Sequence, residues 1–581
     1  MKFQNSTYHK LMWAILVCLF LSESQAFSQT IERITIGESS GADQLNPFTN
    51  FSATGSYVNE YLYSSLLRTD KETGSFLPLL ALGLPSISED QMVLTYQINP
   101  LAKFNTGKHI TASDVIFSLK LVRNPFVNNA QKRGHFDIIK NVEEVDEETV
   151  KFTLNKPNSQ ALRITGEFAI LAEAYFDEAG SLREIPFSEV AKGPKLNMIQ
   201  SQALQRVADR VNTYGSSFQA WEAAPTCGPY ILTNWKRGTS IVLSANKKFW
   251  GKKISPSPND YFKVNVAEIR IEIADEQTMR KGVFENRYDL VSSMPQALFS
   301  NLSEIPVLSK NYDFLSPPGP SYEYIGINMR PKEKSRNLGL AELKVRKALA
   351  HLVYVDLLME EVCHSLGTRI AAEYPVLHPN YRNGDLAAIP FDIETAKKLL
   401  DEAGWKDEDG NGIREKNIDG EEVSLVLECI INEGKVARKQ IAEHIQKNGR
   451  EAGILISIVE LPWDGYLKRL KAGNFDLSIG AWVPDPNEDS YQQIWHSKSW
   501  GTGSNFVGFG NPGSDKLIEL YDETIEEEPH RALCMEIQRL IYQEQPYIFL
   551  WSNNQCLALN KRFSKSSIYK LRPGFWLGSW E

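Results

Sequence analysis

The apolar positions of this chain follow two alternating periods. Short runs in which every second residue is apolar predict β-strands, because successive side chains leave a strand on opposite faces. Such runs occupy residues 34–37, 94–98, 269–273, 325–328, 425–427 and 454–458. Longer stretches with helical spacing cover 113–122, 341–352, 393–403, 437–452 and 530–544. The third of these has both end signals, Asp392 as a helix-capping acid and Gly404 just past the last turn. Strands alternating with helices predict an α/β architecture. No internal repeat and no low-complexity tether interrupts the pattern, so the domains are expected to be joined by interleaved strands.

The first residues stand apart from that pattern. Lys2 and Lys10 flank an apolar run at 11–21, and Ser24-Gln25-Ala26 follows with small residues at its first and third positions. Eleven apolar residues are too few to span a bilayer, which takes about 20, but they suit a cleaved export signal over residues 1–26. Cys18 lies inside the apolar run behind Val17, not at its end behind a small residue, so no lipid anchor is expected. Cleavage after Ala26 removes two lysines and one glutamate, leaving 555 residues with the formal charge moved from −9 to −10. A chain of that length predicts two or three domains. Its acidity argues against nucleic acid or an anionic membrane as the main partner. Five cysteines remain (Cys227, Cys363, Cys429, Cys534 and Cys556), with no C-x-x-C spacing and an odd count from which no disulfide pairing can be read.

Several segments carry finer signals. In residues 104–118 (FNTGKHITASDVIFS) Gly107 permits a tight turn, Thr111 or Ser113 can cap a helix, and Asp114 complements the helix dipole. Gly228-Pro229-Tyr230 in 225–250 opens a strand, and Val345-Arg346-Lys347-Ala348-Leu349 belongs to a helix. All three read as scaffold, and Cys227 as a small buried thiol. Asp407-Glu408-Asp409-Gly410-Asn411-Gly412 mimics half of a calcium loop, but Ile418 occupies the twelfth position where a bidentate carboxylate is required. An ordinary turn is expected there, and no metal. The chain has no Gly-x-Ser-x-Gly elbow, no His-Glu-x-x-His, no P-loop and no dinucleotide fingerprint, so neither an enzyme nor a cofactor is indicated.

Six segments in order (104–118, 225–250, 325–350, 403–416, 475–482 and 531–550) resemble the family 5 extracellular solute-binding proteins, the oligopeptide and dipeptide receptors of ABC importers, which also include nickel- and haem-related members. The resemblance implies a type II periplasmic-binding-protein fold, two lobes joined by a two-strand hinge with an extra inserted subdomain. Residues 27–75, 185–318 and 546–581 would form lobe I, 76–184 the insert and 319–545 lobe II. It also implies a periplasmic monomer that delivers its ligand to a membrane permease. Trp482 and Asp485 keep the Trp-x-x-Asp spacing of peptide-binding members, in which the acid pairs with the ligand's α-ammonium while neighbouring backbone, here Val483 and Pro484, faces its main chain. A charge-assisted bond to a desolvated ammonium is roughly twice as strong as a neutral one. Pro484 and Pro486 lack N–H groups, which reduces strand pairing to a peptide. Phe51, Ser52 and Ala53 are implied on the opposite wall, and Trp463, Trp495 and Trp500 are candidate pocket aromatics. The alternatives are a binder of a metal chelate, haem or glycan, and, from another class, a secreted hydrolase.

Overall fold

The strand Ile31–Glu38 buries Ile34 and Ile36 completely and lies at the centre of a seven-stranded sheet. It runs parallel to Val266–Ile273 on one side and to Leu290–Val291 on the other. Ser240–Ala245 and Tyr230–Lys236 extend one edge, Leu557–Asn560 and Tyr312–Leu315 the other. A second, six-stranded sheet has Val426–Asn432 parallel to both Leu455–Leu461 and Leu477–Trp482. Pro318–Ile327, Tyr547–Asn554 and Gly367–Arg369 complete it in antiparallel order. A third, wholly antiparallel sheet comprises Ser86–Ile87, Val93–Gln97, Thr149–Leu154 and Ile139–Asp146. The protein is described by a computed structural model, which covers residues 31–581 apart from 51, 130–132, 222–223, 255–258, 331–337, 374–378, 419, 484–489 and 570–572. The expected export signal lies outside the described residues.

The third sheet does not have a core of its own. Leu94, Tyr96, Phe117 and Phe152 belong to the same apolar cluster as Ile34, Ile36, Ile269 and Ile271 of the first sheet. The second sheet buries one face under Val345, Leu349, Ile441 and Ile445 and the other under Trp495, Ile518 and Ile541. Among the described residues, no helix is long and apolar enough to cross a membrane.

The predicted elements appear with shifted ends. The strand expected at 325–328 begins seven residues earlier, at Pro318, because Tyr322 and Tyr324 pack into the second core and extend the pairing. The last long helix starts at Glu527, where two acids complement the dipole of its first turn. Ile393–Glu402 has its Asp392 cap, and Gly404 adopts φ +83°. Thr111 caps Ala112–Arg123, its N–H donating to Asp114 Oδ2 at 3.0 Å. Cys227 is fully buried, and burial pushes its thiol up to about 12, which leaves it inert. All five described cysteines are buried. Around the calcium-like turn, Asp407 Oδ2 accepts from the Gly412 N–H and Asp409 Oδ1 from that of Asn411.

Two motif residues have a specific packing reason. A Cβ on Gly228 would meet the Tyr61 carbonyl oxygen at 2.2 Å and the Leu62 carbonyl carbon at 2.6 Å. Buried Arg346 donates to the carbonyls of Leu340 (3.0 Å), Ala341 (2.7 Å) and Glu544 (2.8 Å), and to the Glu544 carboxylate at 3.1 Å. It thereby fastens helix Leu343–His351 to the end of the helix that feeds the strand Tyr547–Asn554.

Gly228→Ala is expected to destabilise the protein by about 1–3 kcal/mol through overpacking against rigid backbone, seen as a lower calorimetric unfolding temperature; an unchanged temperature would contradict the packing account. Arg346→Met leaves three carbonyls without a donor and is expected to lower the urea midpoint by the equivalent of about 3 kcal/mol. A midpoint within error of the parent would show that those carbonyls find other partners.

Candidate ligand-binding site

The chain passes from the first sheet to the second at residues 316–317 and returns at 555–556. These two segments form a narrow ribbon: the Gln555 N–H donates to the Pro317 carbonyl at 2.8 Å, and Asn554 Nδ2 to that of Ser316 at 3.2 Å. The ribbon decides where the carboxyl edges of the two sheets lie. Beyond Val291 on the first edge, the Met294 N–H donates to the Cys556 carbonyl on the ribbon at 3.0 Å. On the second, Trp482 is level with Tyr322, four residues into the strand that leaves the ribbon. Both carboxyl edges therefore border one gap, and in open α/β sheets ligands bind outside the carboxyl ends of the strands.

On the second-sheet wall, the strand Leu477–Trp482 ends in an aromatic stack. Trp482 lies parallel between Tyr324 (6.3 Å, 9°) and Phe506 (6.2 Å, 8°), and Tyr324 stacks in turn on Tyr547 (3.9 Å, 9°). Trp482 Nε1–H donates to Tyr547 Oη at 3.2 Å. Gly480 is required for this packing, since a Cβ there would lie 2.8 Å from Tyr324 Oη. Val483 emerges from the stack 52% exposed. Pro484 and Asp485 lie outside the described residues.

The same edge carries charge that the sequence reading missed. Glu323 pairs in register with Ala481, one residue before Trp482. Its Oε1 accepts a long 3.4 Å bond from Asn553 Nδ2, while Oε2 is sealed from solvent without a hydrogen-bond partner among the described residues. Burial pushes the carboxyl up, and the nearby charges of Arg438 and Lys435, with the Asn553 bond, pull it back. Arg438 donates to the Asn432 side chain at the end of the neighbouring strand. The only sequence signal of this group is an acid between two tyrosines in a strand covered on both faces.

The first-sheet wall is hydroxyl-rich. Glu38 is 4% exposed and accepts from Ser292 Oγ, from Ser293 Oγ at 2.6 Å and from Tyr57 Oη at 3.0 Å. Ser52 caps helix Ala53–Leu62, its Oγ accepting from the Gly55 N–H at 3.2 Å and lying 2.7 Å from Asp43 Oδ1. Its own N–H is directed to Asp43 and its carbonyl accepts from Ser56, so the Ser52 backbone is engaged within its loop. Ala53 is exposed at the first helical position, and Phe51 lies outside the described residues. No hydrogen bond joins Ser52 or Ala53 to Trp482 or Val483 among the described residues.

The three further tryptophans separate. Trp495 is fully buried, with Nε1–H donating to Glu373 Oε2 at 2.7 Å, and belongs to the core rather than to a pocket surface. Trp500 is half-buried, with the Arg330 guanidinium 6.0 Å from its ring. Trp463 is 53% exposed just beyond the carboxyl end of Leu455–Leu461. Away from the ribbon, the segment after the third sheet touches helix Pro512–Glu523: Lys156 Nζ pairs with Glu523 Oε1 at 2.6 Å, and the Ser159 N–H donates to the Asp522 carbonyl at 2.9 Å.

This arrangement has counterparts among known proteins. The oligopeptide-binding protein AppA of Bacillus subtilis is 25% identical over 524 residues, covering 89% of this chain and 84% of the relative. The structure of that protein in complex with a nonapeptide superposes with a TM-score of 0.69 at 20% identity, covering 95% of this chain and 99% of the other. NikA from Brucella suis in complex with Fe(III)-EDTA superposes with a TM-score of 0.72 at 19% identity, over 94% of this chain and 99% of the other. These likenesses establish the two-lobed fold of periplasmic binding proteins. The family model for the middle region of the bacterial extracellular solute-binding proteins, family 5, matches residues 75–504, and the chain belongs to that family.

Proposed function

We propose that the protein captures short peptides in the gap between its lobes, outside the cytoplasm, and passes them as a monomer to a membrane-embedded ABC permease. The observation that carries this reading is the position of Trp482: it ends, beside the ribbon, an interior strand of the second sheet at that sheet's carboxyl edge, with Asp485 three residues further on. An acid at that place would neutralise a ligand ammonium stripped of water, and the backbone of the half-exposed Val483 would pair with the peptide main chain. With Ser52 engaged in its loop, Ala53 and Phe51 are the groups left to contact the ligand's other edge. Peptide binding by the Bacillus subtilis relative supports the assignment.

The lobes in this reading are 27–75, 185–318 and 546–581 on one side and 319–545 on the other, with 76–184 as insert. Closing them around a peptide adds contacts from both walls, so the ligand stabilises the closed state by the difference in affinity between the two states. The protein performs no chemistry on its cargo.

Calorimetric titration with a mixture of di- to pentapeptides is expected to show binding that N-acetylation abolishes and that Asp485→Ala weakens by about 2–5 kcal/mol. Equal affinity for free and blocked peptides would remove the ammonium-pairing role. The bound peptides should return intact by mass spectrometry after long incubation, whereas cleavage products would favour a hydrolase. Native mass spectrometry of freshly purified protein separates the ligand classes, since a retained mass matching a metal chelate, haem or glycan would replace the peptide reading.

A further inference from the structure

The turn that follows helix Ile393–Glu402 gathers three carboxylates. One carboxylate oxygen from each of Asp407, Asp409 and Glu415 lies within 4.8 Å of the other two. Asp407 and Asp409 are exposed, whereas Glu415 opens the hairpin strand Glu415–Ile418 and is only 7% exposed. Like charges this close repel, and a buried carboxylate is costly unless donors or an opposite charge compensate. The fold compensates half of it. Glu415 Oε2 accepts from the Glu408 N–H at 3.2 Å, while Oε1 is sealed off without a hydrogen-bond partner among the described residues.

The neighbouring cations are engaged elsewhere. Arg414 donates to Asp401 Oδ1 at 2.5 Å and to the carbonyls of Trp405 and Ala452, and Lys416 Nζ lies 2.9 Å from both oxygens of Glu342. Among the described residues no ion pair reaches Asp407, Asp409 or Glu415, so the spot is net negative. It opens to solvent on the side of the two exposed aspartates, which gives an ion a way in. The chain holds its geometry beforehand: Glu415 and Lys406 exchange backbone bonds at 2.7 and 3.0 Å, and Asp407 Oδ2 accepts from the Gly412 N–H at 3.0 Å. The sequence expectation sought a closing carboxylate at the twelfth position, where Ile418 stands; the hairpin returns one from the ninth, Glu415.

Oxygen ligands without cysteine or histidine suit a hard cation. Calcium accepts an irregular sphere of oxygens at about 2.3–2.6 Å, so ligands across one ion stand about 5 Å apart, whereas magnesium keeps several waters and takes one or two carboxylates. We propose that Asp407, Asp409 and Glu415 form a calcium site, with water completing the sphere. The ion would fasten the hairpin beside Trp405, which is fully buried in the core of the second sheet. This site is separate from the peptide reading and does not depend on it.

The test uses the mature chain stripped with EDTA and then freed of it, titrated calorimetrically with calcium chloride and with magnesium chloride. A single calcium per chain is expected, with a dissociation constant of about 1 mM or tighter and magnesium about tenfold weaker or more. Because a ligand that binds the folded chain stabilises it, the unfolding temperature should be higher in calcium than in EDTA. Asp409→Asn and Glu415→Gln should each abolish the binding and that difference. In EDTA, Glu415→Gln should unfold no lower than the parent, since it removes repulsion. A purely structural Glu415 would instead lower the temperature equally in both buffers, which would overturn the proposal. If Glu415→Gln does not fold, that too contradicts it, and the exposed Asp409→Asn still reports on binding. No calcium binding by the parent up to about 10 mM, or binding undiminished in Asp409→Asn, would also overturn the site, and equal affinity for magnesium would overturn its assignment to calcium.

Discussion

The two lobes are connected through only two short segments, at 316–317 and 555–556, tied to each other by backbone and asparagine hydrogen bonds. A ribbon so narrow sets the distance between the sheet edges next to it and leaves the far side of the gap to be fixed by whatever lies there. Near the ribbon, the Met294–Cys556 bond and the register of Tyr322 with Trp482 place wall residues firmly. Away from the ribbon, a half-exposed ion pair joins Lys156 to Glu523 and a backbone bond joins Ser159 to Asp522. Exposed pairs of this kind are worth about 0–1 kcal/mol, little enough for a ligand's differential contacts to decide whether the gap is open or shut.

Each wall then shows what a gap does to polar groups. On the first, Glu38 is satisfied by Ser292, Ser293 and Tyr57 and helps to hold its loop. On the second, the rings of Phe506, Trp482, Tyr324 and Tyr547 make a flat, rigid support, anchored by the Trp482–Tyr547 hydrogen bond. Rigid aromatic surface orders few torsions on binding and so loses little entropy there. Beside it stands Glu323, a buried carboxyl near the charges of Arg438 and Lys435. A wall built of prearranged rings is suited to holding something brought from outside.

Much of the fold was legible because it is local. The capped helix at Asp392, the Thr111 cap with Asp114, the glycine turn at 404 and the alternating strand of Ile34 and Ile36 depend on neighbours a few residues away. Gly-Pro-Tyr and Val-Arg-x-Ala-Leu were recognisable as scaffold, but their reasons were not. Gly228 is dictated by the backbone at Tyr61 and Leu62, and Arg346 by carbonyls at Leu340, Ala341 and Glu544. The strand beginning at Pro318 was hidden because Pro-Gly-Pro has no strand propensity and is paired only through the returning strand.

By itself, the sequence determined an α/β chain and the family to which it belongs, and it pointed to an aromatic-acid segment at 482–485 as the place to look for ligand chemistry. Periodicity, capping and ordered motifs are short-range properties, so a linear reading reaches them. Tertiary structure alone decided that the third sheet shares the first sheet's core, that Trp495 is interior, and that Ser52 spends its backbone on its own loop. It alone set Glu323 beside Trp482, because those residues lie 159 positions apart in the chain and meet only through antiparallel register. Partnership between distant charges and donors is a property of three-dimensional neighbours, which no period along the chain records.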